Sequence, residues 1–545
     1  MKHDLYRKAN LSLSYWPADT STPLLNLDFV RALRDAAAKV PDRIALAEGS
    51  PEKKSRKKIT YLQLLADSER LASALLEHFK PGDRIAVWGP NCIEWVLIQF
   101  GCAIAGMTLV TVNPSHQEKE LEYILRQSKA AGIFVKEEYR SRSLIDIASK
   151  VSKNLPALKA VIGFADINSY MFAAADNKDF PDINPNDPCI LKFTSGTTGF
   201  PKGAVLCHGG VLNASLFTIK RSGLEEGGVL VNPMPMCHVG GCGVATPGTI
   251  LQLGTQVIMT EFYAELLLEL IEEEKGTFTI LVPTMIEAVL NHPNLTRYDI
   301  SSLKSILSGA SKVDASLVQR VRSQLGVGVT IGYGQTECMS ISQTHMDDSF
   351  VDQSETIGQP MPQCEVKIAS PEGDPLPIGE RGEICCRGYQ TMIEYDNMPE
   401  ETAGVLKSDG WLHTGDLGLM DERGFLKFCG RLKEMIVRGG ENIYPAEIEL
   451  VLNAHPLVER AAIVGVSDEY WGEQVHAVIL PKDQENPPDP YTLYQCCDSS
   501  LAHFKVPKYW YSVDEFPTTE TGKIQRFLLK EWIEQGKLKR RACMI

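Results

Sequence analysis

The amino-acid sequence predicts an α/β protein with a large N-terminal domain and a small C-terminal α+β domain. Between residues 30 and 430, short apolar runs alternate with helical patterns, which is typical of layered α/β sheets with helices on their faces. From residue 358 to about 430, short strands separated by turn signals indicate a β-rich subdomain. At Lys433 the pattern changes again, to that of a compact α+β unit. The length of 545 residues is also too great for a single hydrophobic core. We therefore expect one domain over 1–432 and a second over 433–545.

Local apolar runs predict the individual elements. In the large domain, strands are expected at residues 84–88, 132–135, 160–164, 256–259 and 277–282. In the β-rich subdomain, they are expected at residues 365–368, 382–386 and 424–429. The last domain should contain a helix over 446–453, strands near 461–466 and 475–480, and a helix near 493–503.

An uncharged run of 18 residues, 95–112, has the length of a membrane helix. Polar residues and two glycines interrupt it, and it divides into a helix up to about Ala105 and a β-branched strand over 108–112. We therefore expect a buried α/β unit and no integral membrane segment. The first 30 residues show neither a secretory signal nor a transit-peptide pattern. The fourteen cysteines are accordingly expected to be reduced thiols of a cytoplasmic protein.

The overall charge argues against nucleic acid as a partner. The net charge is −14, whereas a nucleic-acid backbone requires a basic face. A nucleotide needs only a locally positive pocket, which an acidic protein can still form. The basic segment 537–541 is interpreted as a solvated tail, with contact to phosphates or to a membrane surface as the alternative.

The most informative segment is a loop of small polar residues between two apolar runs, 189–193 and 203–207. Its glycines let backbone N–H groups approach an anion closely, its hydroxyls add donors, and Lys202 adds a cation. The spacing differs from the P-loop pattern because Pro201 stands where the second glycine would be. We predict a strand–loop–strand turn that holds phosphates, with an exposed polar turn as the alternative. The predicted phosphate contacts are Thr194, Ser195, Gly196, Thr197, Thr198, Gly199, Phe200, Pro201 and Lys202.

This loop resembles the signature of the acyl-adenylate-forming enzymes, the AMP-binding superfamily. Four further motifs follow in that family's order: Tyr333-Gly-Gln-Thr-Glu337, Trp411-Leu-His-Thr-Gly-Asp416, Gly430-Arg-Leu-Lys433 with Gly439-Gly-Glu-Asn-Ile-Tyr-Pro445, and Thr521-Gly-Lys523-Ile-Gln-Arg526. The resemblance spans nearly the whole chain. It implies the adenylate-forming enzyme fold, in which the small C-terminal domain is mobile. It also implies that ATP, Mg²⁺ and coenzyme A are used.

The resemblance assigns four of these residues to ATP and its metal ion. Glu337 is the expected Mg²⁺ ligand, since a hard carboxylate suits a hard cation that bridges phosphate oxygens. Thr336 is expected to contact the α-phosphate. Tyr333 and Gly334 are expected to lie against adenine, although Tyr333 taken by itself would be a core aromatic.

Further nucleotide contacts are implied on either side of this motif. The small-residue turn that contains Gly309 and Ala310 resembles one at which adenine meets the backbone. Asp416 is expected on a tight turn after Thr414-Gly415, where its carboxylate would accept hydrogen bonds from both ribose hydroxyls. Arg431 matches the second ribose contact of the family.

The last domain carries residues whose implied roles depend on its movement. Lys523 is expected to bridge the substrate carboxylate and the α-phosphate while pyrophosphate leaves. Lys433 matches the hinge position of the family, with an ordinary surface lysine as the alternative. Rotation about it would present Arg438, Gly440 and the following residues up to Tyr444 to the thiol acceptor.

The acid substrate is constrained by residues 235–243, which contain no carboxylate to pair with an amino-acid ammonium group. His238 matches the gating histidine of fatty-acid and aryl-acid CoA ligases. Gly240, Gly241 and Gly243 are interpreted either as leaving volume for an apolar chain or as a flexible loop. The resemblance favours a medium- or long-chain fatty-acid–CoA ligase. Aryl-acid–CoA ligation and transfer to a carrier-protein thiol are the alternatives.

Overall fold

The computed structural model describes residues 10–173, 179–194, 201–309, 313–438, 441–519 and 522–541. The chain divides into two compact units. The first consists of the described residues of Trp16–Val366 and Cys385–His413. The second consists of those of Asn10–Tyr15, Lys367–Ile384 and Thr414–Ile545. The expected domain boundary between residues 432 and 433 stays a prediction.

The strands follow the apolar runs of the sequence. In the first half of the described chain they are β1 (Tyr15–Trp16), β2 (Ile44–Gly49), β3 (Lys58–Thr60), β4 (Arg84–Trp88), β5 (Thr108–Val112), β6 (Gly132–Val135), β7 (Glu138–Tyr139), β8 (Arg142–Ser143), β9 (Ala160–Gly163), β10 (Pro188–Thr194), β11 (Lys202–Cys207), β12 (Val229–Asn232), β13 (Thr255–Met259) and β14 (Phe278–Ile280). In the second half they are β15 (Ser305–Gly309), β16 (Gly328–Gln335), β17 (Cys338–Gln343), β18 (Gln359–Pro360), β19 (Glu365–Ala369), β20 (Gly382–Arg387), β21 (Glu394–Tyr395), β22 (Leu412–Met420), β23 (Leu426–Arg431), β24 (Ile436–Arg438), β25 (Glu441–Ile443), β26 (Val458–Asp468), β27 (Gly472–Pro481), β28 (Tyr509–Ser512) and β29 (Arg540–Arg541).

The α-helices are α1 (Phe29–Lys39), α2 (Tyr61–His78), α3 (Ile93–Ile104), α4 (Glu118–Gln127), α5 (Leu144–Ser152), α6 (Ile167–Ala173), α7 (His208–Arg221), α8 (Thr246–Leu251), α9 (Ala264–Glu274), α10 (Pro283–Leu290), α11 (Ala315–Leu325), α12 (Phe350–Glu355), α13 (Pro399–Val405), α14 (Pro445–Asn453), α15 (Pro490–Ser500) and α16 (Arg526–Glu534). A π-helical segment spans Val239–Ala245. Short 3₁₀ turns occur at Lys53–Ser55, Phe164–Asp166, Leu295–Arg297, Leu432–Glu434 and His503–Lys505. The predicted strands and helices are all present, with ends that shift by a few residues.

A seven-stranded sheet of the first unit has the order β21-β11-β10-β5-β4-β6-β9. Strands β10, β5, β4, β6 and β9 pair in parallel, and β11 pairs antiparallel with both β10 and β21. On one face, alternate residues such as Val112, Leu191 and Phe193 pack in a core with apolar residues of α4 and α5. The opposite face therefore carries the other alternate residues of the same strands, because successive side chains point to opposite faces.

A nine-stranded sheet of the first unit has the order β18-β17-β16-β15-β14-β12-β13-β2-β3. Its six central strands are parallel, and the hairpin partner of β16, strand β17, runs antiparallel. Helices α9, α10 and α11 supply apolar residues to a core cluster with Val231, Val257 and Val329. Because β15 and β16 are neighbours, the loops after β15 and after β16 lie at the same edge of this sheet.

The second unit contains a sheet of the order β25-β24-β27-β28-β29, with β26 paired to β27. The core beneath it includes Ile448 of α14, Leu493 of α15 and Trp510 of β28. A further sheet, β1-β19-β20-β22-β23, belongs mainly to this unit. Residues 540–541 form the edge strand β29, with Arg541 opposite Trp510. These two residues do not form a free tail, because backbone pairing holds them on the sheet, but the Arg540 side chain is exposed as predicted.

The uncharged run at residues 95–112 divides as predicted into α3 and β5, which are both buried. Within the described part of the chain, no helix combines the length and the apolar character needed to cross a bilayer.

Candidate active site

The predicted phosphate loop connects β10 and β11, which form an antiparallel hairpin. Thr194 and Lys202 face each other across the open end of this hairpin. Pro201 is fixed by a residue outside the hairpin: the hydroxyl of Tyr123 donates a hydrogen bond to the Pro201 carbonyl oxygen at 2.9 Å. The loop residues Ser195, Gly196, Thr197, Thr198, Gly199 and Phe200 lie outside the described residues.

Glu337 lies beside this hairpin, on the tight turn between β16 and β17. The Thr194 hydroxyl donates to Glu337 Oε1 at 3.4 Å. The hydroxyl of Tyr395 donates to the same oxygen at 2.7 Å. Thr336 is the residue before it on the turn and is buried. A carboxylate with oxygen-bearing neighbours is the donor set that Mg²⁺ prefers, so the residues present fit the predicted metal.

Tyr395 and Glu401 are residues of this site that motif reasoning missed. The Lys202 ammonium forms an ion pair with Glu401 and lies 5.3 Å from the ring centre of Tyr395. Burial, together with the Glu337 charge, raises the pKa of Tyr395 well above its usual value, so this phenol stays protonated and remains a donor. Glu401 is half-exposed, and its pair with Lys202 is therefore weak enough for a phosphate to replace it.

The segment that carries Tyr395 is fixed by backbone pairing to β11. Ala204 pairs with Tyr395, and Asp396 N donates to Gly203 O at 2.7 Å. Asp396 is almost fully buried, and its carboxylate takes two hydrogen bonds from Arg84 of β4, at 2.5 and 2.7 Å. This bidentate pair anchors the segment to the seven-stranded sheet. No local sequence signal indicates it, because Arg84 and Asp396 are 312 residues apart.

The predicted adenine contacts occupy two neighbouring parallel strands. Gly309 ends β15 and pairs with Gly332, the residue before Tyr333 on β16. A side-chain carbon at Gly309 would lie 2.5 Å from Gly332 O, so the close backbone approach requires glycine there. Tyr333 and Gly334 follow on β16, and Tyr333 is half-buried. Ala310 lies outside the described residues.

His238 precedes the π-helical segment and acts as its N-cap. Its Nδ1 accepts a hydrogen bond from Gly240 N at 3.1 Å. Of the glycines that follow, Gly241 is explained by close packing against backbone rather than by an open tunnel or a flexible loop. A side-chain carbon at Gly241 would lie 2.4 Å from Pro235 O, and one at Gly243 would lie 2.9 Å from Met339 Cε. Both interpretations made from the sequence are therefore wrong for Gly241, because neighbouring backbone fills the space.

In the second unit, Asp416 and Arg431 lie opposite each other on β22 and β23. Arg431 Nε is 3.3 Å from Asp416 Oδ1, and Asp416 is 5% exposed. The predicted tight turn at Thr414-Gly415 is wrong, since these residues lie within β22. The Thr414 hydroxyl instead accepts a hydrogen bond from Asp416 N at 3.0 Å, which fixes the strand locally. The two residues assigned to ribose are nevertheless adjacent.

Lys433 lies in the 3₁₀ turn Leu432–Glu434, between β23 and β24. Its neighbour Glu434 pairs with Arg526 at 3.1 Å, and Arg526 also forms a two-point pair with Glu449 of α14. Burial opposes the Arg526 charge, but the two glutamates outweigh this effect and keep the pKa of Arg526 above its usual value. The turn at Lys433 is therefore joined to the start of α16, close to the Lys523 motif.

Lys523 closes a tight turn that begins at Thr519. Thr519 N donates to Lys523 O at 2.8 Å, and Lys523 N donates to the Thr519 hydroxyl at 3.2 Å. An isolated β-bridge between Thr518 and Ile524 completes this short hairpin. Thr521 of the expected Thr-Gly-Lys turn lies outside the described residues, but the residues on either side of it, Thr518, Thr519, Lys523 and Ile524, pair as a hairpin.

Arg438 ends β24 and is held on three sides within the second unit. Its Nε donates to Gln474 Oε1 at 3.0 Å, and its Nη1 donates to Phe504 O at 3.0 Å. Its guanidinium also lies 4.6 Å from the ring centre of Trp471. Gly440 lies outside the described residues.

Comparison with known proteins places this geometry in a family. The model of the AMP-binding enzyme family matches residues 33–396, and that of the AMP-binding enzyme C-terminal domain matches residues 447–523. The chain is 35% identical over 561 residues to the medium-chain acyl-CoA ligase ACSF2, mitochondrial, of Danio rerio, covering 96% of this chain and 91% of that protein.

Solved structures agree with the sequence match. ATP-bound MatB from Rhodopseudomonas palustris superimposes with a TM-score of 0.84 at 26% identity, covering 93% of this chain and 99% of that one. The anthranilate CoA ligase AuaEII in complex with anthranoyl-AMP gives a TM-score of 0.83 at 25% identity, covering 94% and 98%. The predicted adenylate-forming fold is thereby confirmed. The chain belongs to the AMP-binding enzyme family and is an AMP-forming acid–CoA ligase that uses a carboxylic acid, ATP and CoA.

Proposed function

We propose that the protein is a medium-chain fatty-acid–CoA ligase. The acid's carboxylate attacks the α-phosphorus of ATP and pyrophosphate leaves; the CoA thiol then attacks the acyl carbonyl and AMP leaves. The observation that carries this proposal is the cluster of Thr194, Lys202, Glu337 and Tyr395 at the open end of the β10–β11 hairpin. It places a hydroxyl, a cation and a carboxylate around the loop that is predicted to hold phosphates.

In the first unit, the proposed task is to bring two anions together. Lys202 would exchange Glu401 for a phosphate, and Thr336 would contact the α-phosphate. Glu337 would hold Mg²⁺, which neutralises phosphate charge when it is bound. Tyr395 fixes the orientation of the Glu337 carboxylate through its hydrogen bond, which reduces the reorganisation needed on binding.

The adenine and acid positions are proposed from neighbouring elements of the same unit. Gly309, Tyr333 and Gly334 would contact adenine at the edge of the nine-stranded sheet. His238 would gate the entry of the acid, since its backbone position is fixed as the cap of the π-helical segment.

In the second unit, Asp416 would accept the ribose hydroxyls while Arg431 supports its carboxylate. Lys523 would stabilise the charge that develops while pyrophosphate leaves. Lys433 is proposed as the hinge between the adenylation and thioester arrangements. Arg438, with Gly440, is proposed to face the thiol acceptor in the second arrangement.

The acid is proposed from the chemistry of residues 235–243. This segment offers methionine, cysteine, valine and glycine but no carboxylate, so a substrate ammonium would be left desolvated and unpaired. The Danio rerio relative is named a medium-chain ligase, which supports an aliphatic acid. An aryl acid is the second candidate, because a structural neighbour is an anthranilate ligase.

The test is release of pyrophosphate by the full chain with Mg²⁺-ATP, CoA and octanoate. Pyrophosphate, AMP and octanoyl-CoA should appear in equal amounts, and Glu337→Gln should suppress all three. An adenylate that accumulates with CoA present, and is consumed only when a carrier-protein thiol is added, would refute the CoA assignment. Faster turnover of benzoate than of octanoate would refute the aliphatic one.

The protein is proposed to act in the cytoplasm. It is also proposed not to bind nucleic acid. The cysteines among the described residues are all free thiols, which suits a reducing compartment. The Danio rerio relative is named mitochondrial, so fractionation of cells that express the tagged chain decides between the two compartments.

A further inference from the structure

The pairing of β16 with β17 shifts register directly after the turn that carries Glu337. At the turn, Gln335 pairs with Cys338. The next pair along the hairpin is Tyr333 with Ser342. Between these two pairs, one residue of β16 therefore lies opposite three residues of β17, which makes a β-bulge. Bulges bend a strand and re-aim neighbouring side chains, and they are common next to active sites.

Ser340 is the central residue of this bulge and has a left-handed backbone conformation. Its φ is +51°, which is unfavourable for a residue that carries a side chain. Gly334 lies opposite, and a side-chain carbon there would be 2.6 Å from Ser340 N. The bulge is therefore packed closely against a residue that we propose to contact adenine. A strained conformation of this kind persists only where surrounding contacts hold it.

On the side of the turn, the start of β17 is held by backbone pairing with the segment 390–392. Met339 N donates to Gln390 O at 3.0 Å, and Met392 N donates to Glu337 O at 2.8 Å. These two bonds fix the backbone immediately before Ser340 but leave the bulge itself to be held from elsewhere.

The last turn of helix α7 binds both the bulge and the far end of β17. Arg221 Nη1 donates to Gln343 O at 3.1 Å, and Gln343 Nε2 donates to Thr218 O at 3.2 Å. At the bulge, the hydroxyls of Thr218 and Ser340 form a hydrogen bond of 2.6 Å. Thr218 is 4% exposed, so its hydroxyl is shielded from water. Since α7 begins at His208, directly after β11, this helix joins the phosphate hairpin to the strand that follows Glu337.

We propose that Thr218 is a positioning residue, which orients the Glu337 carboxylate for Mg²⁺ by holding the bulge at Ser340. Only two residues separate Ser340 from Glu337, so a change in the φ of Ser340 moves the turn. The Thr218–Ser340 bond favours the left-handed conformation and keeps the turn where Tyr395 donates to Glu337. This inference rests on the proposed function, because that function makes Glu337 the Mg²⁺ ligand.

The experiment measures KM for ATP in adenylate formation by the full-length chain over a magnesium titration. Thr218→Val removes one neutral hydrogen bond and should raise KM for ATP about 3- to 10-fold at limiting Mg²⁺, with a smaller change in kcat. Ser340→Ala should have the same effect, and the double variant should be no worse, because both changes remove one bond. Thr218→Ser keeps the hydroxyl and should restore the wild-type KM. Thr279→Val removes a buried hydroxyl bond to Val231 O on a distant strand and is the matched control, with no expected change in KM.

Ser340→Gly separates positioning from folding. Glycine adopts a φ of +51° without strain but cannot bond to Thr218. We expect S340G to be at least as stable as S340A in urea unfolding and yet to raise KM for ATP as much. A normal KM in S340G would show that only the backbone shape matters and would overturn the proposal. Additive effects of T218V and S340A would overturn it as well, because the two residues would then act through different contacts.

Hydrogen–deuterium exchange of the full-length chain without nucleotide gives a readout that is independent of catalysis. Peptides that cover residues 333–343 should exchange faster in T218V than in the wild type and in T279V, and equal exchange would refute the proposal. If exchange rises in T218V but Glu337→Gln leaves the magnesium dependence unchanged, the proposed function fails and the hold of Thr218 on the turn stands. If E337Q raises the magnesium requirement but T218V changes neither exchange nor KM, the proposed function stands and the positioning role fails.

Discussion

The hydroxyl of Tyr395 donates a 2.7 Å hydrogen bond to Glu337 Oε1. Tyr395 lies on β21, which pairs with β11, whereas Glu337 lies on the turn after β16 of the other large sheet. The contact therefore joins elements of the two sheets in the first unit at the open end of the phosphate hairpin. Met392 N also donates to Glu337 O at 2.8 Å, so the same segment holds this residue by side chain and backbone.

Tyr395→Phe removes one donor to a charged carboxylate and leaves the ring in place. Hydrogen bonds to charged groups contribute about 1.5–3 kcal/mol, so we expect kcat/KM for ATP to fall by about 10- to 100-fold and to respond more steeply to Mg²⁺ concentration. Initial-rate kinetics over a magnesium titration measure both effects. Tyr263→Phe removes a similar tyrosine–glutamate bond at an exposed site and should have no effect. Unchanged kinetics in Y395F would contradict a role for the bond.

Glu401→Gln removes the acceptor that pairs with Lys202 before ATP binds. Because the ion pair is partly exposed, removing it should make phosphate binding by Lys202 more favourable by at most about 1 kcal/mol. KM for ATP should therefore fall a few-fold. ATP saturation curves measure this directly. A rise in KM for ATP would instead show that Glu401 assists nucleotide binding.

Lys523→Ala should suppress adenylate formation by several orders of magnitude and spare thioester synthesis from synthetic acyl-AMP. The reason is that the lysine charge is needed only while phosphate charge develops. Separate assays of the two half-reactions measure the split, with the exposed Lys537→Ala as control. Equal loss of both half-reactions would contradict the two-arrangement scheme.

His208 gives the first unit a pH-dependent stability. Burial lowers the pKa of His208 to about 4, whereas the unfolded side chain titrates near 6.5. Between these values the unfolded state binds more protons, so stability is lost as the pH falls below about 6.5, by about 2 kcal/mol at pH 5. Urea unfolding at pH 7 and pH 5 should show this loss, and His208→Gln should lose about 2 kcal/mol less. An identical pH dependence in H208Q would show that other groups dominate.

Residues whose role depends on local sequence could be predicted. The hairpin around the phosphate loop, the division of residues 95–112 into α3 and β5, and the turn at Lys523 all follow from short apolar runs and turn residues. In the two hairpins, residues close together in the chain make the defining hydrogen bonds, whereas the division of residues 95–112 follows from their composition, since β5 pairs with the more distant β4 and β10. The ends of the elements were predicted less accurately than their presence. Strand β23, for example, was expected at residues 424–429 and begins at Leu426.

Residues whose role depends on distant pairing could not be predicted. The bond between Tyr395 and Glu337, and the pair of Arg84 with Asp396, arise from strand order, which no single segment encodes. Asp416 was expected on a turn because Thr-Gly-Asp is typical of turns, but pairing of β22 with β23 keeps it in a strand. The packing of Gly241 against Pro235 could not be predicted either, because it depends on the folded arrangement of the two segments.

The most direct test of the fatty-acid assignment is the chain-length dependence of thioester formation. Each buried methylene contributes about 0.8 kcal/mol, so kcat/KM should rise several-fold per carbon from butyrate through hexanoate to octanoate, and free amino acids should not react. Initial rates of CoA-dependent pyrophosphate release by the wild type supply these values. A flat series from butyrate to octanoate, with benzoate turned over faster, would contradict an aliphatic substrate while leaving the ligase chemistry intact.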